Sequence, residues 1–220
     1  PDVRVADVAD VLDDLKANVA RIEEHGRRAD SIVRSMLAHS RGGRGTHERV
    51  NLNRLVDEYV SLAYHGARAQ RPGLNATIER DLDPASPTVE AVPEDLGRVL
   101  LNLVSNSLYA VHGHFSGEVA PEGYAPTLRV STKAAGDHVE IRVWDNGGGI
   151  PEAVRARIFE PFFTTKPTGE GTGLGLSLSH DIVAAHGGTL SVVTGEIEGT
   201  TEFIVRLPRS TPISTPEPAV

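Results

Sequence analysis

The first forty residues carry apolar or small side chains at Val5, Val8, Leu12, Leu15, Val19, Ile22, Gly26, Ala29, Val33 and Met36. Steps of three and four alternate without a break, which is the seam of a heptad repeat and not the wider stripe of a surface helix. Asp13, Asp14, Arg21, Glu23 and Arg27 fall off the seam. The pattern predicts one long helix, from about residue 4 to 40, that packs along a partner helix. Arg41 to Gly45, with three glycines in five residues, ends it. A second helix is predicted over 51–69, with Leu52, Leu55, Val56, Tyr59 and Leu62 on one side, and Arg71-Pro72-Gly73 breaks it.

Short strands are expected near 76–79 and 89–92. Pro93 then opens a helix through Leu96, Val99, Leu100, Leu103 and Val111. Residues 112–126 read as a loop. The runs 127–132 and 138–144 alternate like a β-hairpin around Ala135-Gly136-Asp137. After a glycine-rich stretch over 145–175, a helix from about 174 to 185 ends at Gly187-Gly188. Strands at 189–193 and 202–207 close the pattern. Helices and strands in this order predict an α+β, two-layer sandwich, a mixed sheet with helices on one face, preceded by a long coiled-coil-like helix. Three units are expected: the helix over 1–45, the sandwich over 46–208, and a disordered Pro/Ser/Thr-rich tail over 209–220.

Composition narrows the chemistry. Cysteine is absent from the 220 residues, which removes disulfides, thiol catalysis and cysteine-ligated zinc and suits a reducing, cytoplasmic setting. Net charge is −8 and aromatic residues are 5%, so neither an overall grip on nucleic acid nor a base-stacking platform is expected. An anionic ligand must be held by a local device. No stretch is apolar for the ~20 residues of a membrane span, and no signal-peptide pattern stands at the start.

Four segments could supply that device. Asn102 and Asn106 stand at i and i+4 on one helical face, and amide oxygens suit a hard cation, although two amides also fit a solvated face. Asp145-Asn146-Gly147-Gly148-Gly149 follows an apolar strand. A carboxylate there can accept from an exocyclic amine, and glycines admit a flat ring; an ordinary turn has the same composition. Phe159 to Phe163 reads as a hydrophobic latch before Thr164-Thr165-Lys166. Gly169 to Leu176 opens a helix, where free N–H groups and a positive dipole end suit phosphate. It lacks the ending of a P-loop, and no strand immediately precedes it as in a dinucleotide fingerprint.

Taken together and in this order, the segments resemble the N, G1, F and G2 boxes of the sensor histidine kinases, in the GHKL group of ATP-binding domains. The resemblance covers about 90–208. It implies ATP and Mg²⁺ as ligands. Asn106, with Asn102 beside it, would hold Mg²⁺ through the nucleotide phosphates, and Asn102, Asn106 and Lys166 would form the catalytic group. Asp145 would accept from the adenine amine, with Gly147, Gly149, Ile150 and Thr201 around the base. Tyr109, Lys166, Gly171, Thr172, Gly173, Leu174, Gly175 and Leu176 would complete the ATP site, and about 164–173 would form a mobile lid.

Hydrolysing relatives carry a glutamate where Asn102 stands, and an amide cannot take a proton from water. The resemblance therefore implies transfer to another acceptor. None of the nine histidines matches the family's phosphoacceptor motif, so no phosphoacceptor is assigned in this chain, which is expected to begin downstream of that helix. The resemblance also implies a homodimer through the first helix, a response regulator receiver domain as partner, and no membrane contact from this segment. Two rivals are a GHKL-type ATPase, disfavoured by Asn102, and a non-catalytic nucleotide-sensing or dimerisation module.

Overall fold

The computed structural model describes residues 45–209, apart from 86, 117–122, 168–169 and 195–198, together with 11–12, 14–23, 25–26 and 29. Those described between 11 and 29 are helical, in agreement with the heptad pattern. Leu12, Leu15, Val19 and Ile22 are exposed, Ile22 at 70%, so none of the described elements covers the seam. The remainder of the predicted helix and the tail over 210–220 lie outside the described residues.

The order from residue 48 is β1 (Glu48–Asn51), α1 (Leu52–Gln70), β2 (Thr77–Leu82), β3 (Thr88–Ala91), α2 (Pro93–Ser116), β4 (Thr127–Ala135), β5 (His138–Asp145), a short α3 (Glu152–Arg155), α4 (Gly175–Ala185), β6 (Thr189–Thr194) and β7 (Thr201–Pro208). Strands β2-β4-β5-β7-β6 form one mixed sheet, parallel only between β2 and β4, and β1 pairs antiparallel with β3. The sandwich is the two-layer α+β fold that the pattern predicts.

Helix α1 begins where Asn51 accepts the Arg54 N–H on Oδ1 at 3.0 Å, an N-cap that a sequence pass reads simply as the first helical residue. Strand β1 escaped the pattern because its four residues bury only Val50. Helix α2 runs five residues past Val111 into the stretch read as a loop. Glycine-rich composition concealed α3.

Alternation along the strands sets the layers. Leu128 and Val130, Val139, Ile141 and Val143, and Phe203 and Val205 face Leu55, Val56, Leu100, Leu103, Leu108, Ile182 and Val183 of the helices. Each such side chain buried from water stabilises the fold by about 1.5–3 kcal/mol. The opposite face is mainly polar, with Trp144 and Ile204 among its charged residues. There Glu140 accepts from Arg206 at 2.7 Å and from Arg142 at 2.6 Å, and Glu79 pairs with Arg129 at 2.7 Å. The two arginines hold the Glu140 carboxyl below its ordinary range, against its own burial.

Candidate functional site

A cleft of about 610 Å³ opens between α2, the turn after β5, α4 and the segments 163–166 and 170–173. It is lined by Asn102, Asn106, Tyr109, Asp145, Gly149, Ile150, Lys166, Gly171, Thr172, Gly173, Gly175, Leu176 and Thr201. All four motif segments thus converge. Gly147 lies behind the wall, and Leu174 is the cap residue of α4.

One end is built on the sheet. Asp145 is the last residue of β5 and its odd register points it toward the helices, so it is only 1% exposed. Thr201, buried at the start of β7, is its direct cross-strand neighbour. Burial pushes the Asp145 carboxyl up to about 6; the neighbouring Ser107 hydroxyl and the Gly147 N–H, which donates at 2.9 Å, pull against this. Ser107 Oγ is buried beside Asp145, and its hydrogen-bonding capacity is otherwise unused. A Cβ on Gly147 would stand 2.6 Å from the carbonyl carbon of Ala110, which is why the turn can press against α2 only as glycine. Gly148 donates to the Gly199 carbonyl at 2.9 Å and fixes the turn to the chain entering β7.

Apolar walls join this end to the rest. Val154, Ile158, Phe163 and Phe203 line the cleft beside Ile150 and Leu176, and the sequence reading missed Val154, Ile158 and Phe203. A signal existed for one of them: Phe203 shares the inward parity of Thr201 along β7.

The other end is built from side-chain contacts. Lys166 Nζ donates to Asn106 Oδ1 at 2.9 Å and lies 4.3 Å from the Tyr109 ring centroid. The Tyr109 hydroxyl donates to Glu170 at 2.9 Å, and Arg71 stacks on the same ring at 4.8 Å. Burial, then the charge of Arg71, lowers the Lys166 ammonium from its ordinary range, while Glu170 opposes them. Leu174 gives α4 no side-chain cap and no acid stands in its first turn, so the helix start keeps N–H capacity for an anion.

Asn102 is tied into the scaffold. Its Nδ2 donates to Ser179 Oγ at 2.9 Å, and its Oδ1 accepts from Asn106 at 3.4 Å, clasping α2 to α4. A Cβ on Gly175 would run into that amide oxygen, so Gly175 is needed for helix approach as much as for the cleft. The latch also differs from expectation. Phe159 and Phe163 pack on the core, with Arg157 stacked 4.4 Å over Phe163. Phe162 is 49% exposed with φ 67°, and it is its main chain, closely approached by Gly173, that closes the root of the loop.

Among the described histidines, His186 is held inside the fold. His186 Nε2 accepts the Val92 N–H at 3.1 Å, its Nδ1 meets the Ile182 carbonyl at 2.8 Å, and His47 stacks on its ring at 5.2 Å. Among the described residues no three His, Cys, Asp or Glu converge as a metal cluster.

The profile of the family described as "Histidine kinase-, DNA gyrase B-, and HSP90-like ATPase" matches residues 91–211. The chain is 34% identical over 181 residues to sensor histidine kinase ZraS of Escherichia coli, covering 82% of this chain and 35% of that protein. It is 33% identical over 176 residues to sensor protein FixL of Bradyrhizobium diazoefficiens, covering 80% and 32%. The chain thus spans about a third of the length of these curated relatives. A nucleotide-free catalytic domain of histidine kinase ThkA superposes with a TM-score of 0.58 at 29% identity, over 74% of this chain and 95% of that one. Full-length ShkA in complex with AMPPNP superposes at 0.66 and 26% identity, over 89% and 39%. A matched profile over more than half the chain, the shared fold and the converging motif segments give one conclusion: the chain, whose relatives named above are sensor histidine kinases, belongs to the histidine kinase-, DNA gyrase B- and HSP90-like ATPase family.

Proposed function

We propose that this chain binds ATP with Mg²⁺ and transfers the γ-phosphoryl group to a histidine on a helix outside this sequence. The observation that carries the reading is one cleft with two unlike ends: a buried carboxylate beside Thr201, and a lysine, an amide oxygen and an uncapped helix start. Asp145 accepts the adenine amine, and the base lies between Ile150 and the apolar wall. The phosphates meet Lys166, the glycine segment 171–175 and the first turn of α4. Asn106 Oδ1 already takes a cation, the Lys166 ammonium, so its chemistry fits a hard cation whose other ligands are phosphates and water. Mg²⁺, when bound, supplies charge neutralisation of the phosphates.

The chain's own share is positioning and electrostatics, as in phosphoryl transfer generally. Asn102 holds α4 against α2 and offers no base for water, which favours transfer over hydrolysis. From the acceptor histidine the group passes to the receiver domain of a response regulator. Among the described residues no helix is long and apolar enough to cross a membrane.

Incubation with γ-labelled ATP and a separately supplied histidine-bearing helical hairpin of a related kinase tests the transfer. An acid-labile, base-stable label on the hairpin, and none on this chain alone, is expected. Steady release of phosphate with no label transferred would identify an ATPase instead.

The exposed seam at Leu12, Leu15, Val19 and Ile22 supports pairing with a second copy. A charge placed there by Val19→Glu should yield monomers in sedimentation at concentrations where the parent associates. A parent that stays monomeric throughout contradicts the pairing.

A further inference from the structure

Arg71 lies outside the four motif segments and outside the residues 91–211 that the family profile matches. It caps α1 with its N–H on the Ala67 carbonyl at 2.9 Å, and its own carbonyl accepts the Leu74 N–H at 2.9 Å. Main-chain bonds on both sides therefore fix where its side chain starts. Arg80, Arg129, Arg142 and Arg206 each meet a carboxylate. Arg71 meets none among the described residues; its guanidinium stacks on Tyr109 instead.

Lys166 occupies the same ring. Two cations on one aromatic side chain stand within about 10 Å of each other, a Debye length at 0.1 M salt, and repel. The carboxylate nearby, Glu170, is held by the Tyr109 hydroxyl and leaves the pair under-neutralised. In a chain of net charge −8, such a concentration of positive charge beside the cleft needs a reason. A polyphosphate supplies the missing negative charge, and a planar guanidinium is the donor that grips phosphate with two parallel N–H groups.

We propose that Arg71 is a further nucleotide-contacting residue, a second cation that reaches across Tyr109 to the polyphosphate tail and discriminates nucleotides from nucleosides. This rests on the nucleotide reading above and extends it to a residue of the α1–β2 turn. Tyr109 is then the platform that positions both cations, and the tail draws them together in place of Glu170.

Calorimetric titration of the parent, Arg71→Leu and Arg71→Lys with a non-hydrolysable ATP analogue and with adenosine tests it. Leucine keeps apolar cover on the ring without charge. It should weaken the ATP analogue about tenfold and leave adenosine within twofold. Lysine keeps the charge without the planar stack and should lose less than leucine. An ATP-analogue affinity within twofold of the parent in Arg71→Leu overturns the proposal. So does an equal loss for adenosine, which marks a purely structural residue, or a loss in Arg71→Lys as large as in leucine. A parent that binds neither ligand sinks the nucleotide reading itself, whereas a parent that binds both while the variants follow it sinks only the role of Arg71. Melting of each variant at the parent temperature confirms that the comparison is between folded proteins.

Discussion

The two ends of the cleft are made in opposite ways. At the Asp145 end the polar group sits on a central strand, 1% exposed, with its neighbours fixed by strand register and by glycines that press main chain against main chain. At the Lys166 end, Lys166 and Glu170 sit on a loop and reach groups on other elements through single contacts: Lys166 to Asn106 and Glu170 to Tyr109 on α2, with Arg71 from the end of α1 over the ring. The first end is preorganised, and its cost is a carboxylate buried where its charge is poorly solvated. The second is assembled from groups whose mutual contacts a ligand can replace. Recognition of the base should thus be rigid and strong, and recognition of the tail adjustable and salt-sensitive.

The strongest break of this contrast is Asp145→Ala. Losing a hydrogen bond to a charged acceptor, about 1.5–3 kcal/mol, should lower affinity for ATP and adenosine alike by about 10- to 100-fold in calorimetric titration. Affinity within twofold of the parent would remove Asp145 from the base site.

Asp145→Asn sharpens it through stability. The folded carboxyl titrates at about 6 and an ordinary one at 3.8, so the folded value is the raised one. Its contribution is fully present below the unfolded value and is lost as pH rises through about 6. The asparagine variant should therefore be more stable than the parent at pH 8, by an amount on the order of 1–3 kcal/mol, and nearly equal to it at pH 4. Denaturant midpoints at the two pH values measure this. A stability difference that does not change with pH contradicts the burial argument.

The smallest effect is expected at the assembled end. Lys166→Ala should weaken the ATP analogue several-fold, because one partly screened cation is lost, and leave adenosine unchanged. Equal losses for both ligands would place Lys166 away from the phosphates.

How far the sequence reveals all this follows the same division. The strand alternation, the Pro93 start of α2 and the glycine helix opening at Gly175 are local patterns, and they locate the sandwich and the four segments of the site. What escapes is tertiary. Asn102 lines the cleft as its motif suggests, but its hold on Ser179 across α2 and α4 is not visible in any spacing. Phe162 reads as part of an apolar latch, yet a positive φ turns it outward. Arg71 carries no motif; only the fold brings the end of α1 to Tyr109. Strand β1 is too short and too polar to alternate visibly.

In the proposed function one rigid end takes the base and one assembled end takes the phosphates. Amide hydrogen exchange, followed with no ligand, with adenosine and with a non-hydrolysable ATP analogue, tests it most directly. Adenosine should protect the turn from Asn146 to Gly149 and leave Thr164 to Lys166 and Glu170 to Thr172 exchanging as in the free protein. The ATP analogue should protect both regions. Protection of both by adenosine, or of neither loop segment by the ATP analogue, would contradict the account.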